Sequence, residues 1–223
     1  MAANLLLEEQ ARVKVLMAGA GVFYRYPSPW VITVTMIATW AWRATLGPVT
    51  WIDVVLGLGV IAFWPFQEWL IHVFILHFKP RTILGRRIDI RRRKHRKHRT
   101  APWVLSDVFV PIRTLLTVVL LGLPAFVFAW TRVFDLALAV SILAVFSAFG
   151  LIYEWIHYLV HTGWKPRTKL YKQLWQHHRW HHFKNENYWY GVTRLEGDWL
   201  LGTAPDATEV PTSPTAKNLD ARE

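Results

Sequence analysis

Long apolar stretches alternate with short polar or strongly basic connectors along these 223 residues, and four stretches stand out: Trp30–Leu46, Trp51–Phe78, Val108–Trp130 and Val133–His161. A helix needs ~20 apolar residues to cross a hydrocarbon core, so each reads as a membrane span; the first lies near the ~17-residue minimum and the longest overshoot. Pro65 and Pro124 interrupt the second and third spans, where a kink is tolerated because neighbouring helices satisfy the released backbone groups. The connectors supply the orientation. Lys79–Asp107 carries eleven Lys and Arg and the segment from Thr162 onward carries nine, whereas Arg43 and Arg132 stand alone on the opposite side. The positive-inside rule therefore puts both termini and the large basic loop in the cytoplasm. Residues 1–29 have Glu8 and Glu9 where a signal peptide would be basic, and they read as an interfacial amphipathic helix. Residues 204–223, rich in Pro, Thr and Ala with little to bury, are expected to be disordered. The expected fold class is all-α, an integral-membrane four-helix bundle formed by residues 30–203.

Composition agrees with that class. Hydrophobic residues make up 53% of the chain and 14 are Trp, most of them suited to interfacial belts and lipid-facing packing. The absence of cysteine excludes disulfides, thiolate zinc sites and cysteine-held iron–sulfur clusters. The net charge of +11 is concentrated in runs such as RRIDIRRRKHRKHR. Lying between two spans, with no nucleic-acid module around it, this run reads as a topology determinant at an anionic lipid surface and not as a nucleic-acid site.

The ten histidines change the picture from membrane protein to candidate metal protein. They are His72, His77, His95, His98, His157, His161, His177, His178, His181 and His182, spaced H-x4-H, H-x2-H, H-x3-H and H-H-x2-H-H. Every cluster lies at the cytoplasmic end of the second or fourth span or just after it, so all four can meet on one face of the membrane. On a helix His157 and His161 share a face, as do His178, His181 and His182, and each set can converge on a metal through neutral imidazole. His72 and His77 diverge by more than a right angle on an α-helix; either they serve different metals or a helix distortion brings them together. So many ionisable rings near lipid are costly, which makes function the default reading. Imidazole suits zinc, copper, iron and nickel, and the spacing does not separate them. Glu68, four before His72, and Glu154, three before His157, are each placed to accept the ring N–H that faces away from a metal. The competing role is a helix-face carboxylate paired with a nearby Arg or Lys.

EWLIHVFILHFKP, KHRKH, EWIHYLVH and QHHRWHHF followed by YGVTRLEGDWLLGT resemble the fatty acid hydroxylase and sterol desaturase superfamily of histidine-rich membrane di-iron oxygenases, and most closely its fatty acid 2-hydroxylase branch. The resemblance covers Glu68–Thr203. It implies two metal ions, iron in the active enzyme with zinc an alternative in purified protein, held by His72, His77, His95, His98, His157, His161, His178, His181 and His182 in a cytoplasmic cap. His177 has a counterpart in similar sequences. The family's second cluster ends in two adjacent histidines, and here Arg99 takes the last place. Arginine cannot ligate, so His177, a water or a nearby side chain is expected to fill in, the alternative being an altered site whose activity is reduced or lost.

The implied reaction is O2-dependent hydroxylation of a lipid acyl chain. Electrons would come from an external donor, a cytochrome-b5-like protein, a ferredoxin or a reductase, drawn to the basic face. A carotenoid hydroxylase or a sterol or lipid desaturase is the nearest alternative. A membrane di-haem electron-transfer protein using His72 and His157 leaves HHRWHH unexplained, and a metal transporter would want ligands near the bilayer midplane.

Overall fold

The computed structural model describes residues 19–77, 81–83, 85–88, 97–98, 101–102, 104–214 and 216. Residues 1–18, His95, Arg99 and residues 217–223 lie outside the described residues.

Helix α1, Pro27–Thr45, starts with proline in its first turn, where a missing N–H costs nothing. Helix α2, Trp51–Leu70, is started by a reciprocal capping box: the Thr50 amide donates to Asp53 Oδ2 (2.7 Å) and the Asp53 amide to Thr50 Oγ1 (3.5 Å). It runs straight into a π-helical turn, Ile71–Leu76. A small antiparallel hairpin follows, β1 Arg81–Ile83 on β2 Arg86–Ile88, with Gly85 at φ +73° in its turn. It is the only strand pairing among the described residues and adds a minor element to the helical class expected. A short helix α3, Leu105–Val108, leads into α4, Ile112–Thr117, which widens to a π segment, Val118–Gly122, and returns as α5, Leu123–Trp130. Pro124 cannot donate to the carbonyl four residues back, and the widened turn lies just before it. Helix α6, Leu136–Val160, is capped by Asp135, whose side chain accepts from the Leu138 amide at 2.9 Å. Helices α7, Lys169–Phe183, and α8, Glu196–Leu200, complete the chain.

Helix α6 is the centre, with α1 and α2 packed along it. Ala139, Val140, Ile142, Leu143 and Ala144 are buried on it, and small residues at the seams allow close approach. A Cβ on Gly57 would meet Val145 at 3.4 Å, and one on Gly150 would meet Ile32 at 3.9 Å. Large apolar side chains, among them Ile37, Val54, Leu58, Leu120, Leu121 and Phe128, point outward. Three helical rods, Trp51–Leu76, Leu105–Trp130 and Leu136–Val160, are long and apolar enough to cross a membrane. Helix α1, expected as a fourth span, is 19 residues long and is not among them; its Trp and Thr residues and Arg43 lower its hydropathy.

At the end of the bundle where α1 meets α2, Arg43 is buried at 3% exposure. It donates to Asp53 Oδ1 through Nη2 (2.8 Å) and Nε (3.1 Å) and to the carbonyls of Gly47 and Pro48 (2.9 and 3.1 Å). Ser141 from α6 bonds both partners, so every charge in this apolar setting has a counterpart.

Both chain ends are ordered where they are described. Residues 19–23 are helical, and Phe23 sits in a hydrophobic cluster with Phe109, Tyr158 and Leu159 while the Tyr158 hydroxyl donates to the Gly19 carbonyl at 3.0 Å. After Thr203 the chain is packed where disorder was expected. The Asn185 side-chain amide donates to the Pro211 carbonyl (3.1 Å), the Ser213 amide donates to the Lys184 carbonyl (2.7 Å), and Val210 is buried. Long-range hydrogen bonds supply the order that its composition does not.

Candidate metal centre

Two groups of histidines converge beyond the ends of α2 and α6. In an α-helix, side chains five residues apart stand ~140° apart. The π turn closes instead with a hydrogen bond across five residues, from the His77 amide to the His72 carbonyl at 3.0 Å, and brings the two rings to 5.1 Å between centroids. The distortion that the five-residue spacing required is present. His181 of α7 completes this group, 4.7 Å from His72 and 5.1 Å from His77.

The second group contains His98, His157, His161, His178 and His182. Helix α6 brings His157 in its last turn and His161 as its C-cap. Helix α7, started by Thr168, whose hydroxyl accepts from the Tyr171 amide, presents His178 and His182 one turn apart. Ring centroids lie 4.5 Å apart for His98 and His161, 4.8 Å for His98 and His182, and 5.0 Å for His157 and His178. His161 Nε2 and His178 Nε2 are 2.8 Å apart. The two groups adjoin on α7, where the His181 and His182 rings are 5.7 Å apart.

Within each group, one ligating atom from every residue lies within 4.8 Å of all the others. A metal with ~2.1 Å bonds to nitrogen holds opposite ligands ~4.2 Å apart, so these spans match a coordination shell. The chemistry of the donors agrees. Burial pushes the pKa of His161 down to about 3 and those of His178 and His182 well below the ordinary value, which keeps the rings neutral and their lone pairs available. Both nitrogens of His182 are buried without a hydrogen bond, an arrangement that is costly unless something ligates one of them. In the smaller group, His72 Nδ1 meets the Tyr190 carbonyl at 2.7 Å and His181 Nδ1 meets the Tyr188 carbonyl at 2.8 Å. Those carbonyls fix the tautomers and direct Nε2 to a metal.

The structure corrects two expectations. Glu68 does not accept the His72 ring N–H. Its Oε1 accepts the amides of Val192 (2.7 Å) and Thr193 (2.9 Å), and its Oε2 accepts the Thr193 hydroxyl (2.7 Å). It therefore fixes the loop whose Tyr190 carbonyl holds the ring. Glu154 accepts from the Val110 amide at 3.0 Å and from the Ser28 hydroxyl, tying α6 to the segment before α4 and to the first turn of α1. His177 belongs to neither group; its ring lies against Trp180 at 5.3 Å. It stands ~40° beyond His181 around the helix. The histidines that do converge are His72, His77, His98, His157, His161, His178, His181 and His182.

Sequence reasoning gave no role to Asp198, whose Oδ1 accepts the Tyr190 amide (3.0 Å) and the Thr203 hydroxyl (2.5 Å) while its Oδ2 accepts the Gly191 amide (2.6 Å). Burial raises its pKa against these bonds, which pull it down. Its signal was the Gly191-Val192-Thr193 and Asp198-to-Thr203 pattern. Beside the histidines an apolar cavity of about 530 Å³ opens among the helices, walled by Ile71, Ile75, Leu115, Val118, Val119 and Phe146, with His72, Glu68, Tyr153 and Glu154 also on its surface.

Membrane-spanning helices that bring two all-histidine groups to one end, beside an apolar cavity, define a membrane protein of the histidine-cluster type. The chain belongs to the fatty acid hydroxylase family, whose match runs over residues 57–203. It is 28% identical over 158 residues to the fatty acid 2-hydroxylase of Mus musculus, covering 68% of this chain and 40% of that protein. It is 27% identical over 158 residues to the dihydroceramide fatty acyl 2-hydroxylase FAH2 of Arabidopsis thaliana, covering 69% of this chain and 62% of that one. The chain thus spans less than two thirds of the length of each of these relatives. The fold resembles the hydroxylase domain seen in the structure of full-length Scs7p, with a TM-score of 0.62 at 20% identity over 83% of this chain and 69% of that one.

Proposed function

We propose that this protein hydroxylates a lipid acyl chain, using O2, two irons and electrons from a separate donor. The observation that carries the reading is that His72 belongs at once to a histidine group and to the wall of the apolar cavity. A chain lying against Ile71, Ile75 and Val118 would bury methylenes at ~0.8 kcal/mol each and end at the histidines. His98, His157, His161, His178 and His182 would hold one iron, and His72, His77 and His181 the other, with His95 a further ligand on its sequence spacing. Bound iron supplies the activation of dioxygen that side chains lack. The protein's share is to keep the imidazoles neutral, to hold two of them through the Tyr188 and Tyr190 carbonyls, and to keep bulk water from the acyl chain. Residues 30–203 form the catalytic unit, α1 completes a four-helix bundle, and the histidine end faces the cytoplasm, as the Lys and Arg distribution indicates. The same basic face would attract an acidic electron carrier.

Lipid mass spectrometry of cells with and without the protein tests the reaction. A gain of one oxygen on an acyl chain is expected, and a His182→Ala control should abolish it. Loss of two hydrogens would replace hydroxylation by desaturation. A Soret band in the purified protein, or a chain that binds no metal, would overturn the reading.

A further inference from the structure

The loop from Trp189 to Pro205 leaves the histidine end, runs back along α2 and returns. Its ends are tied together: the Trp189 amide donates to the Thr203 carbonyl (2.8 Å) and its indole N–H to the Pro205 carbonyl (3.2 Å), with Trp189 fully buried in the left-handed region at φ +57°. Its far part packs on α2 well before the end of that helix. The Trp64 indole donates to Thr193 Oγ1 (2.9 Å), and a Cβ on Gly197 would stand 2.4 Å from the Pro65 carbonyl oxygen, so α8 touches α2 at Pro65.

The depth of that contact follows from helix geometry and rests on α2 spanning the membrane. Trp51–Leu76 is 26 residues long, on the order of 39 Å, and Pro65 lies ~21 Å from its start. Wherever a ~30 Å hydrocarbon core is placed along it, Pro65 falls roughly 9 Å or more inside. Irregular backbone at that depth is tolerated only where the protein satisfies its polar groups. Here two buried carboxylates do so, Glu68 for the Val192 and Thr193 amides and Asp198 for those of Tyr190 and Gly191. Arg194 and Glu196, the loop's other charges, neutralise each other through contacts of 2.6–3.1 Å. Outward from this scaffold α8 and the residue after it present Trp199, Leu200 and Leu201, exposed by 54%, 68% and 43%.

We propose that residues 190–203 form a re-entrant element and that Trp199, Leu200 and Leu201 insert into the acyl-chain region of the bilayer. The occupant of this apolar surface is lipid, because the surface lies at the level of the outward-facing side chains of α2, including Phe63 and Leu70.

The chain has no cysteine, so single cysteines can be labelled cleanly in this chain reconstituted in phosphatidylcholine vesicles. A bimane at Leu200→Cys or, independently, Leu201→Cys should lose emission to nitroxide-labelled lipid as strongly as one at Leu120→Cys. Soluble iodide should quench it several-fold less than a bimane at Lys169→Cys. Iodide quenching at both α8 positions equal to that at Lys169, with Leu120 protected, would overturn the proposal. If Leu120 were also open to iodide, the membrane placement of the helices would fail instead, and the re-entrant loop with it.

Discussion

Glu68 lies four residues before His72 and 124 before Val192, and replacing it separates its action on the loop from any direct action on the ring. Both of its oxygens are occupied, by the amides of Val192 and Thr193 and by the Thr193 hydroxyl, and the side chain is 5% exposed. Alanine would leave three buried donors without an acceptor at ~1–3 kcal/mol each, so a loss of at least ~3 kcal/mol is expected. For a chain of this length that corresponds to a fall in Tm of ~6–12 °C. Glutamine keeps the oxygen that takes both amides, and its NH2 can donate to Thr193 Oγ1 once that hydroxyl turns. The cost is then ~1 kcal/mol, the difference between charged and neutral acceptors. Thermal unfolding in detergent, with metal content measured on the same samples, should rank wild type, Glu68→Gln and Glu68→Ala in that order. The alanine variant should also lose metal from the His72, His77 and His181 group, because the Tyr190 carbonyl that holds His72 moves with the loop. Equal Tm values for the two variants, or a destabilised alanine variant with full metal content, would refute this chain of contacts.

His177→Ala should leave the metal content per chain unchanged, whereas His182→Ala should lower it, as read by elemental analysis of purified protein; loss of metal from the first would put His177 back among the ligands. Asp53→Ala should cost ~3–5 kcal/mol by stranding the buried Arg43 guanidinium, and a second change, Arg43→Met, should recover much of the lost Tm because an apolar pair needs no counter-ion. Metal-stripped protein should lose stability on acidification. The depressed pKa values of His161 (about 3), His178 and His182 mean that the unfolded chain binds protons first, below its own pKa of ~6.5. Stability is then full above ~6.5 and declines as pH falls toward the folded values, and an apoprotein Tm that stays flat between about pH 8 and pH 5 would contradict burial of these rings.

What was legible in the sequence is what helical periodicity encodes. His157 and His161, and His178 with His182, meet because ~3.6 residues make a turn, and the apolar lengths of three spans follow from composition. The pairing of His72 with His77 was not derivable in the same way, because a five-residue spacing closes only in a π turn and nothing in IHVFIL announces a wider helix. Glu68 shows a deeper limit. Its spacing to His72 is the one that places two helical side chains on one face, and that local geometry is correct. The hydrogen bonds go instead to amides of a loop more than 120 residues away, because an irregular backbone in an apolar setting needs acceptors more urgently than an imidazole already served by a carbonyl. Residues 204–214 were misjudged for the same reason: composition measures how little apolar surface a segment can bury, but not the carbonyls of Lys184 and Pro211 that hold it in place. Spacing shows which residues can share a face, whereas the demand for hydrogen-bond partners across the fold decides what each polar group binds. That demand turned Glu68 from an expected partner of His72 into the support of the loop that holds it.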